Sequence, residues 1–159
     1  MSDPTATGPK HVLTLERIID APVGNVWRCW TEPKLLNKWF CPKPWFVSES
    51  RIELKPGGEF YSVMNGPDGE RFENLGVCLE VEPRRRLVFT DAFKPGWVPS
   101  DRPFMVSHVH FEDTGDGKTK YTAHAMHWND ETLREHEQMG FHEGWGKAAD
   151  QLEELAKSI

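Results

Sequence analysis

Seven histidines in 159 residues are the feature of this sequence with the widest chemical reach. An imidazole can ligate a metal, carry a proton near neutral pH or hold a bound molecule. Helical metal ligation asks for two imidazoles four residues apart with a glutamate beside the first. His136-Glu137 begins that pattern but reaches Gly140, and His142-Glu143 reaches Gly146. His108, His110 and His124 alternate along two strand-like runs, so they read as solvated residues of one outward face, with His108 opposite His124. No metal and no other cofactor is expected.

Other nucleophiles are equally unmarked. Cys29, Cys41 and Cys78 are odd in number and lack CxxC spacing, which fits reduced thiols in a cytoplasmic protein. Cys29 lies between Trp27 and Trp30 and reads as packing. Gly57-Gly58 belongs to a turn between strands, not to a phosphate loop ahead of a helix. The remaining candidates for acid–base work or ligand recognition are His127, Tyr121 and Glu137. Glu137 is included because it precedes Phe141 by four residues, one helical turn.

Those candidates need elements to position them. His11 to Asp20 alternates and reads as a strand; Asp20 and Pro22 then resemble a helix start. Val23, Val26, Trp27 and Trp30 give a short helix one apolar face, and Leu35, Leu36, Trp39 and Phe40 give a second after Pro33. Strand-like runs follow at 45–54, 59–64, 71–81 and 86–92, with Gly/Pro/Asn/Asp turns between them. A hairpin joins 104–112 to 119–128 across Asp113-Thr114-Gly115-Asp116-Gly117. From Asn129 toward Ser158 one long helix is expected, its stripe formed by Phe141, Trp145, Ala148, Leu152, Leu155 and Ile159. A large antiparallel sheet and one long helix bury their apolar faces best by lying across each other. The expected fold class is therefore α+β, with a curved sheet wrapped around the C-terminal helix. Residues 1–10 read as a flexible polar tail that is neither signal peptide nor anchor, and 11–159 as one domain.

The hairpin points to a pocket. Met105, Ser107, Val109 and Phe111, with Tyr121, Ala123, Ala125 and His127, form its more apolar face, which is turned inward. Ala123 and Ala125 are small where a filled core favours larger groups. Gly140, Gly144 and Gly146 are costly in a helix. Small residues facing each other mean either close packing or an empty volume. Trp27, Trp39, Phe60, Phe89, Met105, Ala125, Phe141 and Trp145 are expected to surround that volume, with Ser107, Tyr121 and His127 as its polar groups. Residues 94–103, carrying Pro95, Pro99, Pro103, Gly96 and Trp97, read either as a lid or as a loop tucked against the sheet. Regular pairing there is not expected.

Charge narrows the partners. The formal net charge is −6, and the Arg84-Arg85-Arg86 run follows the acidic Glu80 and Glu82, so no phosphate-binding stripe and no nucleic acid partner is expected. No apolar run approaches the roughly 20 residues of a membrane span.

Several segments in order carry a resemblance: Val26-Trp27 through Trp39-Phe40, Pro56-Gly57-Gly58, Pro67-Asp68-Gly69, Gly76, Glu80-Val81-Glu82-Pro83, Arg86-Leu87-Val88-Phe89-Thr90 and His142-Glu143-Gly144-Trp145. Together they resemble the bacterial activator of Hsp90 ATPase homologue 1-like domain, of the START-like/SRPBCC (Bet v 1-like) superfamily, from about Val12 onward. The resemblance implies the helix-grip fold, and superfamily members bind small hydrophobic molecules or, in a few cases, catalyse cyclisation or hydrolysis. Three readings stand side by side. The first is a binder of a small apolar or aromatic molecule, in stress or metabolite handling. The second is a cyclase- or hydrolase-type enzyme using His127, Tyr121 or Glu137. The third is a protein-interaction or co-chaperone-like module, with Trp97 and Trp45 marking an interface such as that of a homodimer.

Overall fold

In the computed structural model residues 10–159 are described, and the expected tail falls outside them apart from Lys10. Strand β1 (Val12–Ile19) buries Leu13, Leu15 and Ile19 while Thr14, Glu16 and Ile18 face solvent. Helices α1 (Val23–Thr31) and α2 (Pro33–Leu36) follow. Pro33 suits the first turn of α2 because its fixed φ and missing N–H cost nothing there. Asp20 does not cap α1. Pro22 holds that position, and the Asp20 backbone N–H instead donates to Glu153 Oε2 at 2.8 Å.

Four strands come next: β2 (Phe46–Ile52), β3 (Glu59–Asn65), β4 (Arg71–Glu82) and β5 (Arg86–Thr90). A small ribbon, β6 (Phe93–Lys94) with β7 (Val98–Pro99), leads to the hairpin β8 (Val106–Asp113) and β9 (Thr119–Met126). Helices α3 (Asp130–Gln138) and α4 (Phe141–Ser158) complete the chain. The main sheet has seven strands in the order β1-β9-β8-β5-β4-β3-β2, and every neighbouring pair is antiparallel. The two short helices and α4 cover its inner face, with α4 packed on α1 and β1. This is the helix-grip architecture.

Two expectations are corrected. The C-terminal segment is not one helix. Asn129 caps α3 by accepting from the Thr132 N–H at 2.9 Å, but α3 ends at Gln138 and Gly140 takes φ 92°. Glycine enters that left-handed region without steric cost, so the chain breaks its helical phase there before α4 begins. Residues 94–103, in turn, do contain regular pairing: Phe93 faces Pro99 and Lys94 faces Val98. Pro95 falls in the turn, where it donates to nothing, and Gly96 and Trp97 both adopt positive φ. The Trp97 indole lies against Gly57, whose missing side chain makes room for it, and edge-on to Phe93.

The sheet is tightest where β4 meets β5. A register shift between Cys78 and Glu80 marks a bulge, and a Cβ placed on Gly76 would lie 2.1 Å from the Thr90 carbonyl oxygen. Backbone on a central strand has little freedom to retreat. Gly76→Ala is therefore expected to destabilise the fold by about 3 kcal/mol, the upper end of ordinary overpacking. Urea denaturation measures it, and a loss below about 1 kcal/mol would contradict this account of Gly76.

Candidate functional site

The hairpin presents the face anticipated for it. Ser107, Val109, Phe111, Tyr121, Ala123, Ala125 and His127 are all buried. A cavity of about 270 Å³ lies between the sheet and the N-terminal half of α4. The sheet contributes Leu15, Met64, Phe89 and Tyr121, with Met105 immediately ahead of β8; the α1–α2 region contributes Trp30, Trp39, Phe40, Cys41 and Pro42. The helical side is Phe141, Gly144, Trp145 and Ala148, and His136, Met139 and Gly140 close the end nearest α3. A smaller cavity of about 140 Å³ adjoins it, sharing Phe40, Met64, Phe89 and Met105 and adding Phe60, which stacks on Phe89 at 4.3 Å. For scale, an apolar cavity of about 150 Å³ accepts benzene.

Six residues expected around the pocket line the larger cavity: Trp39, Phe89, Met105, Tyr121, Phe141 and Trp145. Phe60 lines the smaller one. Trp27, Ser107, Ala125 and His127 line neither. Trp27 packs edge-on to Phe111 at 5.4 Å, and Ala125 is wholly buried in the core. Ser107 is also wholly buried, and its Oγ has no hydrogen-bond partner. Glu137 is exposed, because the break at Gly140 removes the four-residue phase that would have aligned it with Phe141. Its neighbour His136 is the residue that turns inward.

The hollow also arises differently from the expected apposition of small residues. Ala123 and Ala125 do not line it; opposite the helix stand Phe89, Met105 and Tyr121. The helical glycines divide their roles. A Cβ on Gly144 would meet no heavy atom within 4 Å, so this glycine opens space. A Cβ on Gly146 would come within 2.8 Å of the Arg17 guanidinium, so that one permits close approach.

The polar content is sparse and specific. His127 Nε2 and His136 Nδ1 lie 2.9 Å apart, one donating to the other. The His136 ring is packed by Phe104 at 4.8 Å, Phe141 at 5.2 Å and Trp145 at 5.7 Å. Burial, reinforced by His127, pushes the His136 pKa down to about 4. Burial lowers that of His127 as well. Tyr121 Oη accepts from Trp30 Nε1 at 3.2 Å, and burial raises the phenol pKa. Cys41, a thiol on the wall, is pushed up to about 11 by burial. Among the described residues no Asp, Glu, Lys or Arg lines the larger cavity. At neutral pH its wall is uncharged.

Gln151 holds one side of the site in place. Its Nε2 donates to the carbonyls of Trp39 at 3.0 Å and Cys41 at 2.7 Å, and its Oε1 accepts from the Lys43 N–H at 2.9 Å. One α4 side chain thereby fixes the strip Trp39–Lys43. On the outer face His108 does pair with His124, and the His110 and His124 rings meet at 5.6 Å. Among the described residues no three His, Cys, Asp or Glu side chains are arranged to hold a metal.

Sequence reasoning does not place His136, Trp30, Phe40, Cys41, Pro42, Met64, Met139 or Gln151 at the pocket; it weighs His136 only as a metal ligand, Cys41 only as a thiol, and Trp30 and Phe40 only as apolar helix faces. Trp30 shares the Trp27 stripe and was within reach; a nine-residue helix leaves undecided which of the two indoles crosses to the sheet. His136 was hidden by the assumption of unbroken helical phase. Met64 carries no local signal, since its role depends on the pairing of β3.

Comparison with known proteins agrees with this fold. A family model described as "Activator of Hsp90 ATPase homolog 1-like protein" matches residues 20–157. A crystal structure of a protein from Nitrosomonas europaea is 47% identical, with a TM-score of 0.89 over 92% of this chain and 94% of that one. One from Mycobacterium smegmatis is 28% identical, with a TM-score of 0.76 over 94% and 95% of the two chains. An AHSA1-like protein from Aeromonas hydrophila, at 22% identity and a TM-score of 0.70 over 92% of each chain, shares the fold. A search of curated proteins gave no match. No helix among the described residues is long and apolar enough to cross a membrane.

Two outcomes are expected. Gln151→Leu strands two carbonyls and one N–H, each bond being worth about 1 kcal/mol net, so it should cost about 3 kcal/mol in urea denaturation; an unchanged midpoint would remove the clamp. For His136, a folded-state pKa near 4 against an ordinary 6.5 means that the unfolded chain binds the extra proton between those values. Stability should therefore fall as pH drops from 6.5 toward 4. His108, His110, His124 and His127, also lowered chiefly by burial, add to that slope. His136→Leu should flatten the slope in the window from 6.5 to about 4.5, before carboxylates dominate. A slope identical to that of the unaltered protein would contradict the burial of a neutral His136.

Proposed function

The chain belongs to the family of Activator of Hsp90 ATPase homolog 1-like proteins, and on that footing we propose that it binds a small, uncharged, largely aromatic molecule between the sheet and α4. The observation that carries this reading is the composition of the larger cavity wall. About 270 Å³ of space is bounded by Trp, Phe, Met and Tyr side chains with no ionised group among them. An apolar guest entering it gains roughly 25 cal/mol for each Å² it removes from water. A charged guest would be desolvated without compensation.

Binding is favoured over catalysis by the state of the available nucleophiles. Cys41 is held as a thiol at neutral pH, its pKa near 11. Tyr121, with its pKa raised, stays a phenol. Neither matches the lowered pKa that activates a nucleophile. A co-chaperone-like role is the other reading that family membership supports, and it would use the outer surface rather than this cavity.

Gly144 supplies the test. Leucine there fits the helix better than glycine by about 0.8 kcal/mol and extends into open space. Gly144→Leu should keep or raise thermal stability while weakening binding of naphthalene at least about tenfold, read by quenching of tryptophan fluorescence. Saturable quenching is expected of the unaltered protein. Its absence, or equal affinity in the variant, would sink this reading.

A further inference from the structure

We infer that the cavity selects guests carrying a hydrogen-bond donor, a phenol-type hydroxyl on an aromatic frame, which it recognises through the bare Nε2 of His136. The inference rests on the cavity being a binding site, as proposed above, and names the chemistry of the guest.

The tautomers follow from the neighbours of the pair. His127 Nε2 and His136 Nδ1 share one proton at 2.9 Å, so two arrangements of two neutral rings make this bond, differing in which ring donates. If His127 Nε2 donated, its own Nδ1 would be a bare lone pair, buried and without a donor to satisfy it. With the proton on Nδ1 instead, that N–H faces the Phe104 backbone, which acts on His127 as a hydrogen-bond acceptor does, although the contact falls short of a well-formed bond. That arrangement makes His127 Nε2 the acceptor and His136 Nδ1–H the donor. His136 is left with an unprotonated Nε2, and its ring lines the cavity.

The ring is held in this orientation: Phe104, Phe141 and Trp145 pack against it at 4.8, 5.2 and 5.7 Å, and His127 holds its Nδ1 at 2.9 Å. The wall therefore presents a fixed acceptor in apolar surroundings, where a hydrogen bond is strong and an unmatched polar group is costly. Tyr121 complements it. Its oxygen already accepts from Trp30, so its own proton remains available to an oxygen of the guest. A hydroxyl can both donate to His136 and accept from Tyr121; an ether of the same shape can only accept, and leaves His136 unmatched.

Three probes on one frame decide the matter: 2-naphthol, 2-methoxynaphthalene and naphthalene, titrated by tryptophan fluorescence. Burying a hydroxyl without an acceptor is unfavourable, so an unspecific apolar pocket would prefer naphthalene. The inference predicts the reverse, with 2-naphthol bound about tenfold more tightly than either other probe. In His136→Phe the ratio of naphthol to naphthalene affinity should fall to one or below, whatever happens to each affinity separately. Should that variant not fold, nitrogen-15 chemical shifts of the unaltered protein give the same answer: the His136 Nε2 resonance should move strongly with 2-naphthol and little with naphthalene. Naphthalene binding with no naphthol preference, or a preference that survives in His136→Phe, would overturn the inference and leave the cavity reading standing. Failure of all three probes to bind would overturn both.

Discussion

One residue with a left-handed backbone governs how this fold becomes hollow. At Gly140 the chain leaves α3 and restarts as α4 in a new helical phase. The new phase turns Phe141, Trp145 and Ala148 toward the sheet, while the end of α3 brings His136 against the same space. A continuous helix would have aligned Glu137 with Phe141 and placed a carboxylate where an imidazole now stands. A Cβ at position 140 would meet no heavy atom within 4 Å, so the constraint there is one of backbone geometry and not of room.

A cavity between packed layers tends to collapse unless its walls are held. Here two of the wall indoles are anchored through their N–H groups, and the strip beside them is tethered to α4. Trp39 Nε1 donates to the Cys29 carbonyl at 2.9 Å, Trp30 Nε1 donates to Tyr121, and Gln151 tethers the strip from Trp39 to Lys43. Edge-on contacts of Trp30 with Trp39 at 5.0 Å and with Phe40 at 5.4 Å lock the rings against each other. Asn25 holds the far end of α4 by donating to the carbonyls of Ala156 and Ile159. The helix is pinned at one end and broken at the other, and the space opens near the break.

The order of elements was legible because alternation and helical stripes are local. Leu13, Leu15 and Ile19 announce β1, and the inward face of the hairpin follows from the same period of two. What escaped depends on where the period resets or on distant partners. Gly140 resets the helical phase, which exchanged Glu137 for His136. The β6–β7 ribbon escaped because prolines that argue against a strand are tolerated in the turn and at the end of a two-residue pair. The segment resemblance reached the fold and family; the cavity wall was only half readable, since Met64 and Gln151 become neighbours of Phe89 and Trp39 only through tertiary packing.

The central claim, that apolar space opposite Gly144 stays empty and reachable, is tested most directly by diffraction from a crystal held under xenon pressure. Xenon enters dry apolar cavities and needs no chemical recognition. The account predicts a strong xenon peak bounded by Phe89, Phe141, Trp145 and Gly144. Side chains filling that volume, with no xenon peak inside it, would contradict the claim.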